Sequence, residues 1–462
     1  MIEVAKPQLA CHVAKYLNPA DVFSLRRVSK RWKEIFTQKD ILFYCARIIS
    51  PKPCLGLSAV HLEDIIKRQG RLEIGQPVTT ATVKDLSWDP RNWEPGAMFT
   101  SYDVCNGKLA YISLDQTDLV ICLNLWTGEK EVFTIEDPLI RSYSSIHLST
   151  QLLAVRLSNG RWHIWDLLTK EHKLFTEDQI AHYFCVSECN VFLQTAAGLV
   201  QFCFRQNRVH HFGIHNDCLG IRYQGCEKVY VLTLERTDGT RPSESINTPE
   251  ELKTCQLVVW SRESQFTAST ELQRHDLSSF LPDLPLRWEL SLRLSNSFRN
   301  QLAGCIFEDW SEQEILYFSL SESGLITTHR FFYRNDRNEG FAHEPIHISQ
   351  GVMYVRRSPR YAHWPQGGQV TFASGSMMSS MPPRTVGYDL KIRPLPKCGC
   401  GFYHQDLDVC DMKGDDQFLV LSKSNGVCIW GLSDMWRPSN ALSEAGIQFE
   451  CESSVFIYDS ME

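Results

Sequence analysis

The stretch Trp162-His163-Ile164-Trp165-Asp166 follows the apolar run Gln151–Val155 across the turn Ser158-Asn159-Gly160. Two short apolar runs joined by an Asn-Gly turn are typical of a β-hairpin. An aromatic residue closes a comparable run at seven places, which are Trp126, Trp165, Phe204, Trp260, Phe332, Tyr388 and Trp430. The first two intervals are 39 residues and the last is 42, while the three between them are 56, 72 and 56. A recurrence of about 40 residues indicates a repeated unit of a few short strands.

These repeats resemble the blades of a WD-repeat β-propeller, in which an aromatic residue ends the third strand of a four-stranded sheet. The resemblance implies a mainly β chain with six or seven blades, and the seven aromatic positions favour seven. It predicts that four aromatic residues are largely buried between neighbouring sheets, namely Trp126, Trp165, Trp260 and Trp430. The run 454–458 is expected to pair as a strand near 81–84, which would close the ring and remove free strand edges.

Three polar stretches account for the longer intervals as insertions. They are Glu235–Lys253, Arg334–Ala342 and Ser374–Arg384, and each is poor in strand-forming residues. Loops held by a rigid scaffold often carry binding specificity, so these stretches are candidate recognition loops. Tolerated surface length is the alternative, because lengthening a loop costs little free energy.

The first fifty residues have the pattern of short amphipathic helices. The apolar residues of the first helix share one face of a 3.6-residue period, and they are Leu9, Val13, Tyr16 and Leu17. Asn18 and Pro19 suit the cap and first position of a second helix. Ser29 can cap a third helix, whose inward side chains would be Trp32, Ile35 and Phe36. Asp40 can open a fourth helix over 41–49, with Leu42, Cys45, Ala46 and Ile49 facing inward.

The order Asn18-Pro19-Ala20-Asp21 followed by Val28-Ser29-Lys30-Arg31-Trp32 resembles an F-box, the helical module that joins a substrate receptor to a cullin-based ubiquitin ligase. The resemblance implies a Skp-type linker as the direct partner and, through it, a cullin scaffold. Six residues match F-box positions that contact or support the linker, namely Leu9, Val13, Leu17, Pro19, Leu25 and Trp32. The alternative is that the helices only pack against the following domain.

The boundaries that follow are 1–50 for the F-box-like helical module, 51–78 for a helical linker and 79–462 for the propeller. Within the linker, a further amphipathic helix is predicted near Ser58–Arg68. Its apolar face would contain Val60, Leu62, Ile65 and Ile66. From about Thr79 onward, short alternating strands separated by turn residues indicate an all-β domain.

Composition is that of an ordinary soluble chain that can bury a large core, with 43% hydrophobic and 22% charged residues. Residues 1–50 contain nine Lys/Arg and four Asp/Glu, a net charge of +5, so the rest carries −12 of the overall −7. An acidic body of this kind argues against a nucleic-acid partner. No run approaches the roughly 18 apolar residues of a membrane helix, so no membrane partner is expected.

Cysteine usage points to a reducing compartment. The 17 cysteines are odd in number and several fall in apparent strands, as Cys122, Cys203 and Cys428 do. Buried free thiols fit this distribution better than a disulfide framework. Together with the missing secretory signal, it predicts an intracellular location in the cytoplasm, the nucleus or both.

No catalytic constellation is recognisable, so the protein is not expected to be an enzyme or to need a cofactor. Cys398, Cys400, His404 and Cys410 have metal-ligand side chains, but their spacing does not make two zinc knuckles. Phosphate-binding, dinucleotide-binding and nucleophile-elbow motifs are also missing from the sequence. A propeller hydrolase with an unrecognised site in the central channel is the alternative in this class.

One basic segment stands out in the acidic body. It contains Arg356, Arg357, Arg360, Tyr361 and Trp364. Arginine binds phosphate and carboxylate through two parallel hydrogen bonds, so the segment is a candidate for capturing an acidic or phosphorylated protein. An ordinary charged surface loop is the alternative.

The sequence thus predicts a substrate-recognition adaptor of a Skp–cullin–F-box ubiquitin ligase. Its F-box would bind the linker, and its propeller would bind the protein to be ubiquitinated. A non-degradative propeller scaffold, with helices that merely cap the propeller, is the main alternative function.

Overall fold

The computed structural model describes residues 13, 22–23, 25–49, 54–74, 77–86, 102–113, 116, 118–136, 143–157, 159–176, 184–195, 197–224, 228–238, 251, 254–263, 269–277, 289–293, 302–308, 312–320, 324, 326–334, 341–349, 352–359, 369–373, 387–389, 392–394, 409–423 and 426–449. Between 289 and 411 the description is of the backbone, apart from Gly324 and Ile326.

Three helices precede the strands in the described N-terminal part: α1 (Lys30–Phe36), α2 (Lys39–Ile49) and α3 (Ala59–Ile74). The Ser29 hydroxyl caps α1, as predicted, by accepting a hydrogen bond from the backbone N–H of Trp32 at 3.2 Å. Ile35 and Phe36 are buried as expected, whereas Trp32 is only half-buried. The last helix extends six residues beyond the predicted end at Arg68.

Seven β-sheets follow, and each is called a blade here. The first strand is β1 (Thr79–Val83), followed by a short 3₁₀ turn at Lys84–Leu86. Blade 1 consists of β2 (Tyr102–Cys105), β3 (Lys108–Ile112), β4 (Leu119–Asn124) and β5 (Lys130–Thr134). Blade 2 consists of β6 (Tyr143–Leu148), β7 (Leu152–Leu157), β8 (Arg161–Asp166) and β9 (His172–Thr176).

Blades 3 and 4 repeat the same antiparallel order of consecutive strands. Blade 3 consists of β10 (Phe184–Ser187), β11 (Asn190–Thr195), β12 (Gly198–Cys203) and β13 (Arg208–His211). Blade 4 consists of β14 (Asp217–Gln224), β15 (Lys228–Arg236), β16 (Cys255–Glu263) and β17 (Thr270–Asp276). The predicted insertion at Glu235–Lys253 lies between β15 and β16, and residues 239–250 and 252–253 are outside the described part.

Blades 5 and 6 depart from the order of consecutive strands at their outer edges. Blade 5 contains β18 (Glu289–Arg293), β19 (Leu302–Glu308), β20 (Glu312–Leu320) and β21 (Ile326–Arg334). Blade 6 contains β22 (Phe341–Ser349), β23 (Val352–Pro359) and β24 (Gln369–Ala373). The strand β25 (Gly387–Asp389) then pairs in parallel with β21, and β26 (Ile392–Pro394) completes blade 6.

Blade 7 joins the two ends of the strand-rich region. It contains β27 (Val409–Gly414), β28 (Phe418–Lys423), β29 (Gly426–Gly431) and, after the short helix α4 (Asn440–Glu444), β30 (Ile447–Phe449). The N-terminal strand β1 is inserted between β29 and β30, with Thr80 opposite Trp430 and Thr82 opposite Gln448. In addition, β27 contacts both β2 and β22, so blade 7 packs against blades 1 and 6. This arrangement is a closed seven-bladed β-propeller.

A strand from the C-terminal part of the chain closes the ring, as predicted, but it is not the run that was predicted. Both edges of β1 are already occupied by β29 and β30, so 454–458 cannot be the partner of 81–84. Residues 454–458 themselves lie outside the described part. A turn of the chain through α4 brings the shorter run Ile447–Phe449 to the same place.

The aromatic positions of the repeat were assigned correctly in five blades. Trp126, Trp165, Phe204, Trp260 and Trp430 lie in or directly after the third strand of their blades. Phe332 instead lies in the fourth strand of blade 5, and Tyr388 lies in the extra strand β25. The third strands of blades 5 and 6 carry their own aromatic residues, Phe318 and Phe372. Of the predicted six or seven blades, the favoured number seven is confirmed. Two markers were misassigned because long connections shift the spacing.

The four tryptophans differ in burial, and the two half-buried ones donate hydrogen bonds through their indole N–H groups. Trp165 and Trp430 are buried as predicted, and Trp165 lies in the apolar cluster between blades 1 and 2. Trp126 and Trp260 are only half-buried, which corrects the prediction. Their indole N–H groups donate to the Gln417 side-chain oxygen at 2.6 Å and the Thr233 hydroxyl at 3.0 Å. A tryptophan that reaches a polar partner in this way need not be fully enclosed.

Candidate functional site

The helical module has its own apolar core, to which α3 contributes. Ten buried residues form it, namely Val22, Ile35, Phe36, Ile41, Leu42, Cys45, Ala46, Cys54, Leu62 and Ile66. A module of about fifty residues buries little surface alone, so the addition of a further helix matters for its stability. The helix α3 is therefore a structural part of the N-terminal module as well as the connection to the propeller.

The six residues predicted to contact or support a linker are placed unevenly. Leu25 and Trp32 are half-buried and pack at the margin of the N-terminal core, and the Trp32 ring stacks on Phe36 with 5.4 Å between ring centroids. Val13 is helical and half-buried. Leu9, Leu17 and Pro19 lie outside the described residues. The structure therefore packs Leu25 and Trp32 against the N-terminal core, and the linker contacts of all six residues stay predictions.

Three aliphatic side chains on the described part of this module are exposed. The exposed fractions are 65% for Val28, 82% for Leu55 and 68% for Val60. Val60 had been grouped with Leu62, Ile65 and Ile66 as an apolar residue of this helix, but it is exposed, whereas Leu62 and Ile66 are buried in the core. Single exposed aliphatic side chains also occur on the propeller, as Leu168 and Val132 do, so these three do not by themselves define a binding surface.

A buried polar junction joins α3 to blade 7. The Asp64 carboxylate accepts hydrogen bonds from the Ser433 hydroxyl at 2.8 Å and from the backbone N–H of Asp434 at 3.2 Å. The Arg71 guanidinium donates to the backbone carbonyl of Leu432 at 2.8 Å. Because Asp64 and Arg71 are both nearly enclosed, each depends on these partners to offset the loss of hydration.

Ion pairs extend the junction on both sides of that contact. Asp434 pairs with Arg71 and with Lys67, and the Arg68 guanidinium reaches Asp416 at 3.2 Å. Burial by itself would raise the pKa of Asp434, but the positive charges and hydrogen bonds of Arg71 and Lys67 outweigh it and hold that pKa below its ordinary value. Asp434 is therefore a carboxylate at neutral pH, as the junction requires.

Glu63 connects the same helix back to the N-terminal module. Its carboxylate lies 3.2 Å from the guanidinium of Arg26, which also donates to the backbone carbonyl of Phe36 at 2.9 Å. Burial opposes ionisation, yet the charges of Arg26 and Lys67 lower the pKa of Glu63 below its usual value. One face of α3 is thus bound to the helical module and another to the propeller.

A cavity of about 280 Å³ lies where the two parts meet. Apolar groups from α3 and the loop before it face Trp126 and Met435 of the propeller, and the ion-paired Arg68 and Asp416 close one side. Sequence reasoning missed this site, since its walls come from parts of the chain as distant as Arg68 and Asp416, which are 348 residues apart.

The junction occupies one end of the blades. Asp415, Asp416 and Gln417 connect the first and second strands of blade 7, and residues 432–436 follow its third strand. In an antiparallel blade these connections lie at the same end, and the connections after the second and fourth strands lie at the other. The strand ends Arg236 and Pro359, which precede the longest second-to-third connections, therefore lie away from α3.

The basic segment was predicted to be a loop, but its first part is a strand. Arg356 and Arg357 belong to β23, where they are opposite Glu344 and His343 of β22. Both arginines lie within the strand that begins at Val352. Because they are successive strand positions, they belong to opposite faces of the sheet. Arg360, Tyr361 and Trp364 lie outside the described residues, so their proposed contact with a substrate stays a prediction. Three of the four residues with metal-ligand side chains, Cys398, Cys400 and His404, also lie outside the described residues, and Cys410 belongs to β27.

None of the helices in the described ranges is long and apolar enough to cross a membrane. The F-box domain family matches the chain over residues 7–44. No curated protein matches it. Among solved structures, the chain is similar to the β-propeller domain of Cps50 (Swd1) from Myceliophthora thermophila, with 10% identity, a TM-score of 0.39, and coverage of 72% of this chain and 96% of that one.

It is also similar to the β-propeller domain of Nup133 from Vanderwaltozyma polyspora, with 11% identity, a TM-score of 0.38, and coverage of 76% of this chain and 98% of that one. These identities and scores are low, so the assignment of the fold depends on the seven sheets and their closure through β1. The F-box match at residues 7–44 and the sheets that follow it make this chain an F-box protein with a β-propeller.

Proposed function

We propose that the protein is the substrate-recognition adaptor of a Skp–cullin–F-box ubiquitin ligase. Its F-box binds a Skp-type linker and, through it, a cullin scaffold, while its propeller binds the protein to be ubiquitinated. The chain has no catalytic residue of its own. It acts inside the cell, in the cytoplasm, the nucleus or both, by raising the effective concentration of a substrate lysine near the recruited ubiquitin-conjugating enzyme.

The observation that supports this role most strongly is the double attachment of α3. Its Leu62 and Ile66 complete the core of the F-box module, and its Asp64 and Arg71 are bound to blade 7. A flexible connection would spread the substrate over a large volume and lower its effective concentration. A buried junction instead keeps the two binding parts at one separation, as a bridging adaptor requires.

Substrate recognition is assigned to the end of the propeller that lies away from α3. The connections flanked by Arg236 and Cys255 and by Pro359 and Gln369 belong to that end. Arg356, Arg357, Arg360, Tyr361 and Trp364 are the proposed substrate contacts, since they are located in or next to the second of these connections. Their chemistry favours an acidic or phosphorylated protein.

Co-purification of a Skp-type linker tests the proposal. The full chain is expected to retain the linker, and Leu17→Asp is expected to lose it, because a charge placed in an apolar contact costs several kcal/mol. Leu168→Asp is the matched control, since Leu168 is 89% exposed on blade 2, outside the helical module. Tryptophan fluorescence reports that the propeller of each variant is folded. A folded Leu17→Asp chain that retains the linker fully would contradict the assignment.

A non-degradative scaffold is the second candidate, because the attachment of α3 to blade 7 is equally expected of it. In that case the helical module would serve only to cover the propeller. The wild-type chain would then fail to retain any Skp-type linker, while Asp64→Ala would still expose and destabilise the covered surface of blade 7. The first of these two results separates the candidates.

A further inference from the structure

Two thiols lie side by side in blade 3. Cys189 is in the turn between β10 and β11, and Cys203 ends β12; each is 8% exposed. Asn190 stands directly opposite Cys203 in the β11–β12 ladder, and its amide donates to the Cys189 sulfur at 3.6 Å. The Cys189 side chain is thereby turned toward the face of the sheet that Asn190 and Cys203 share.

Hydrogen bonds hold this pair in place. The backbone N–H of Phe204 donates to the carbonyl of Cys189 at 2.9 Å, and the Gln201 amide donates to the side-chain oxygen of Asn190 at 2.8 Å. Both strand ends are therefore fixed relative to each other. The two cysteines therefore occupy fixed, neighbouring positions across the β11–β12 ladder.

The surroundings of Cys203 favour a thiolate. The Cys189 thiol donates to the Cys203 sulfur, as do the backbone N–H groups of Gln206 and Arg205, and the charge of Arg205 lies nearby. Successive backbone amides that point at one atom form a small anion-binding concavity. Led by the Cys189 hydrogen bond, these interactions outweigh burial and lower the pKa of Cys203 to about 6. A lowered pKa leaves a larger share of this thiol ionised at neutral pH than of an ordinary cysteine.

Other buried thiols in the described part of the chain provide the contrast. Cys122 lies in the core of blade 1, where burial raises its pKa to about 12. Burial also raises the pKa of Cys255 in blade 4. A protonated thiol enclosed by apolar groups is chemically inert, so these two cysteines are structural.

We propose that Cys203 and Cys189 form an oxidation site for hydroperoxides, with Cys203 as the reacting thiolate and Cys189 as the resolving thiol. In the first step the Cys203 sulfur attacks hydrogen peroxide, the O–O bond breaks, and hydroxide leaves to take up a proton as water. In the second step the Cys189 sulfur attacks the resulting sulfenic acid, an S–S bond forms, and the S–O bond breaks. The departing hydroxide takes the Cys189 proton, so two thiols and one peroxide give one disulfide and two waters.

A disulfide between Cys189 and Cys203 would join two turns that also contact blade 2. The carbonyl of Glu188 accepts from the Ser149 hydroxyl at 2.7 Å, and the carbonyl of Phe204 accepts from the Lys173 ammonium at 2.5 Å. Oxidation would therefore tighten the boundary between blades 2 and 3. Formation of a cross-link restricts the unfolded chain, so blade 3 should also become more resistant to unfolding.

Site-resolved alkylation of the reduced full-length chain tests the reactivity. Iodoacetamide is applied between pH 5 and 9, and the modified peptides are quantified by mass spectrometry. Cys203 is expected to react with a midpoint near pH 6 and at least tenfold faster than Cys122 at pH 7. A Cys203 midpoint near the ordinary value of about 8.5 would overturn the proposal.

Oxidation is then tested with one equivalent of hydrogen peroxide. Cleavage after Glu188 and after Arg205 gives the peptide 189–205, in which Cys189 and Cys203 are the sole cysteines, so a loss of 2 Da from it identifies the disulfide. In Cys189→Ala no bond can form, and dimedone should trap the sulfenic acid on Cys203, whose alkylation midpoint should also move upward. If that variant fails to fold, the wild-type measurements still decide. A wild-type chain in which both cysteines stay reduced while other thiols are oxidised would refute the site.

Discussion

The Asp64 carboxylate accepts the Ser433 hydroxyl through both of its oxygens, at 2.8 and 3.0 Å, although the two residues are 369 positions apart. Only 4% of Asp64 is exposed, so the contact is a buried one. Arg68 lies 3.1 Å from the same carboxylate and balances its charge. This buried contact therefore holds the helical module in one orientation relative to the propeller.

Replacing Asp64 with alanine should destabilise the junction by about 3 kcal/mol, since it leaves the Ser433 hydroxyl and part of the Arg68 charge without their acceptor. Asp64→Asn keeps an acceptor oxygen and should cost less. Urea unfolding, followed by tryptophan fluorescence, measures the loss as a shift of the first transition. Glu271→Ala is the control, because its ion pair with Arg274 is exposed and should be worth less than about 1 kcal/mol. Equal shifts in Asp64→Ala and Glu271→Ala would contradict the assigned role.

The closure of blade 7 should be sensitive to Gly431. A β-carbon at this position would overlap the indole ring of Trp436, which is itself held by a hydrogen bond from its N–H to the carbonyl of Leu125 at 2.7 Å. Gly431→Ala is therefore expected to destabilise the propeller by about 2 kcal/mol through overpacking. Trp436→Leu in the same chain should relieve the overlap, so the double variant should lose less than the sum of the single losses. Strictly additive losses in thermal unfolding would argue against this contact.

Mild acid should weaken blade 2 through His172. Its ring accepts or donates a hydrogen bond with buried His163 at 3.1 Å and stacks on Trp165. Burial lowers the pKa of His172 in the folded chain, with Glu136 partly opposing, so the folded state takes up a proton less readily than the unfolded state. Stability is then full above about pH 6.5 and declines as pH falls from that value toward the folded pKa.

His172→Gln removes this titration while keeping a polar side chain. The melting temperature of the wild type should therefore decrease more between pH 7.5 and 5.5 than that of the variant. Asp434 and Glu63 do not confound the comparison, because their lowered pKa values place their titration below this window. Parallel decreases in the two proteins would show that His172 does not control the acid sensitivity.

Substrate capture should depend on the basic segment. Replacing Arg356, Arg357 and Arg360 with alanine is expected to weaken the capture of acidic or phosphorylated proteins from cell extract and to reduce its salt dependence, since guanidinium contacts to phosphate are lost. Linker binding should be unchanged. The control replaces three exposed cations elsewhere, Lys84, Lys130 and Arg208. Equal capture by the two triple variants, or no response to phosphatase treatment of the extract, would count against a phosphate-binding role.

The sequence by itself determined the features that depend on neighbouring residues. Ser29 caps α1 because its hydroxyl reaches an N–H three residues later, and Asn159-Gly160 supports the hairpin of β7 and β8 through the same kind of local bond. The recurring hairpins and aromatic positions carried the prediction of a propeller with six or seven blades, seven being favoured. The F-box resemblance likewise came from a short ordered run of residues, which the match over residues 7–44 confirms.

Only the tertiary structure decided the features that join distant parts of the chain. Asp64 and Ser433 show no periodicity that links them, and the docking of α3 on blade 7 depends on where the closed ring brings residues 432–436. The identity of the closing strand was missed for the same reason, since hydrophobic alternation predicts a strand but not its partner. Phe332 and Tyr388 were misassigned because insertions break the spacing between blades. Burial of polar groups is set by packing across the whole fold, and local sequence does not specify it.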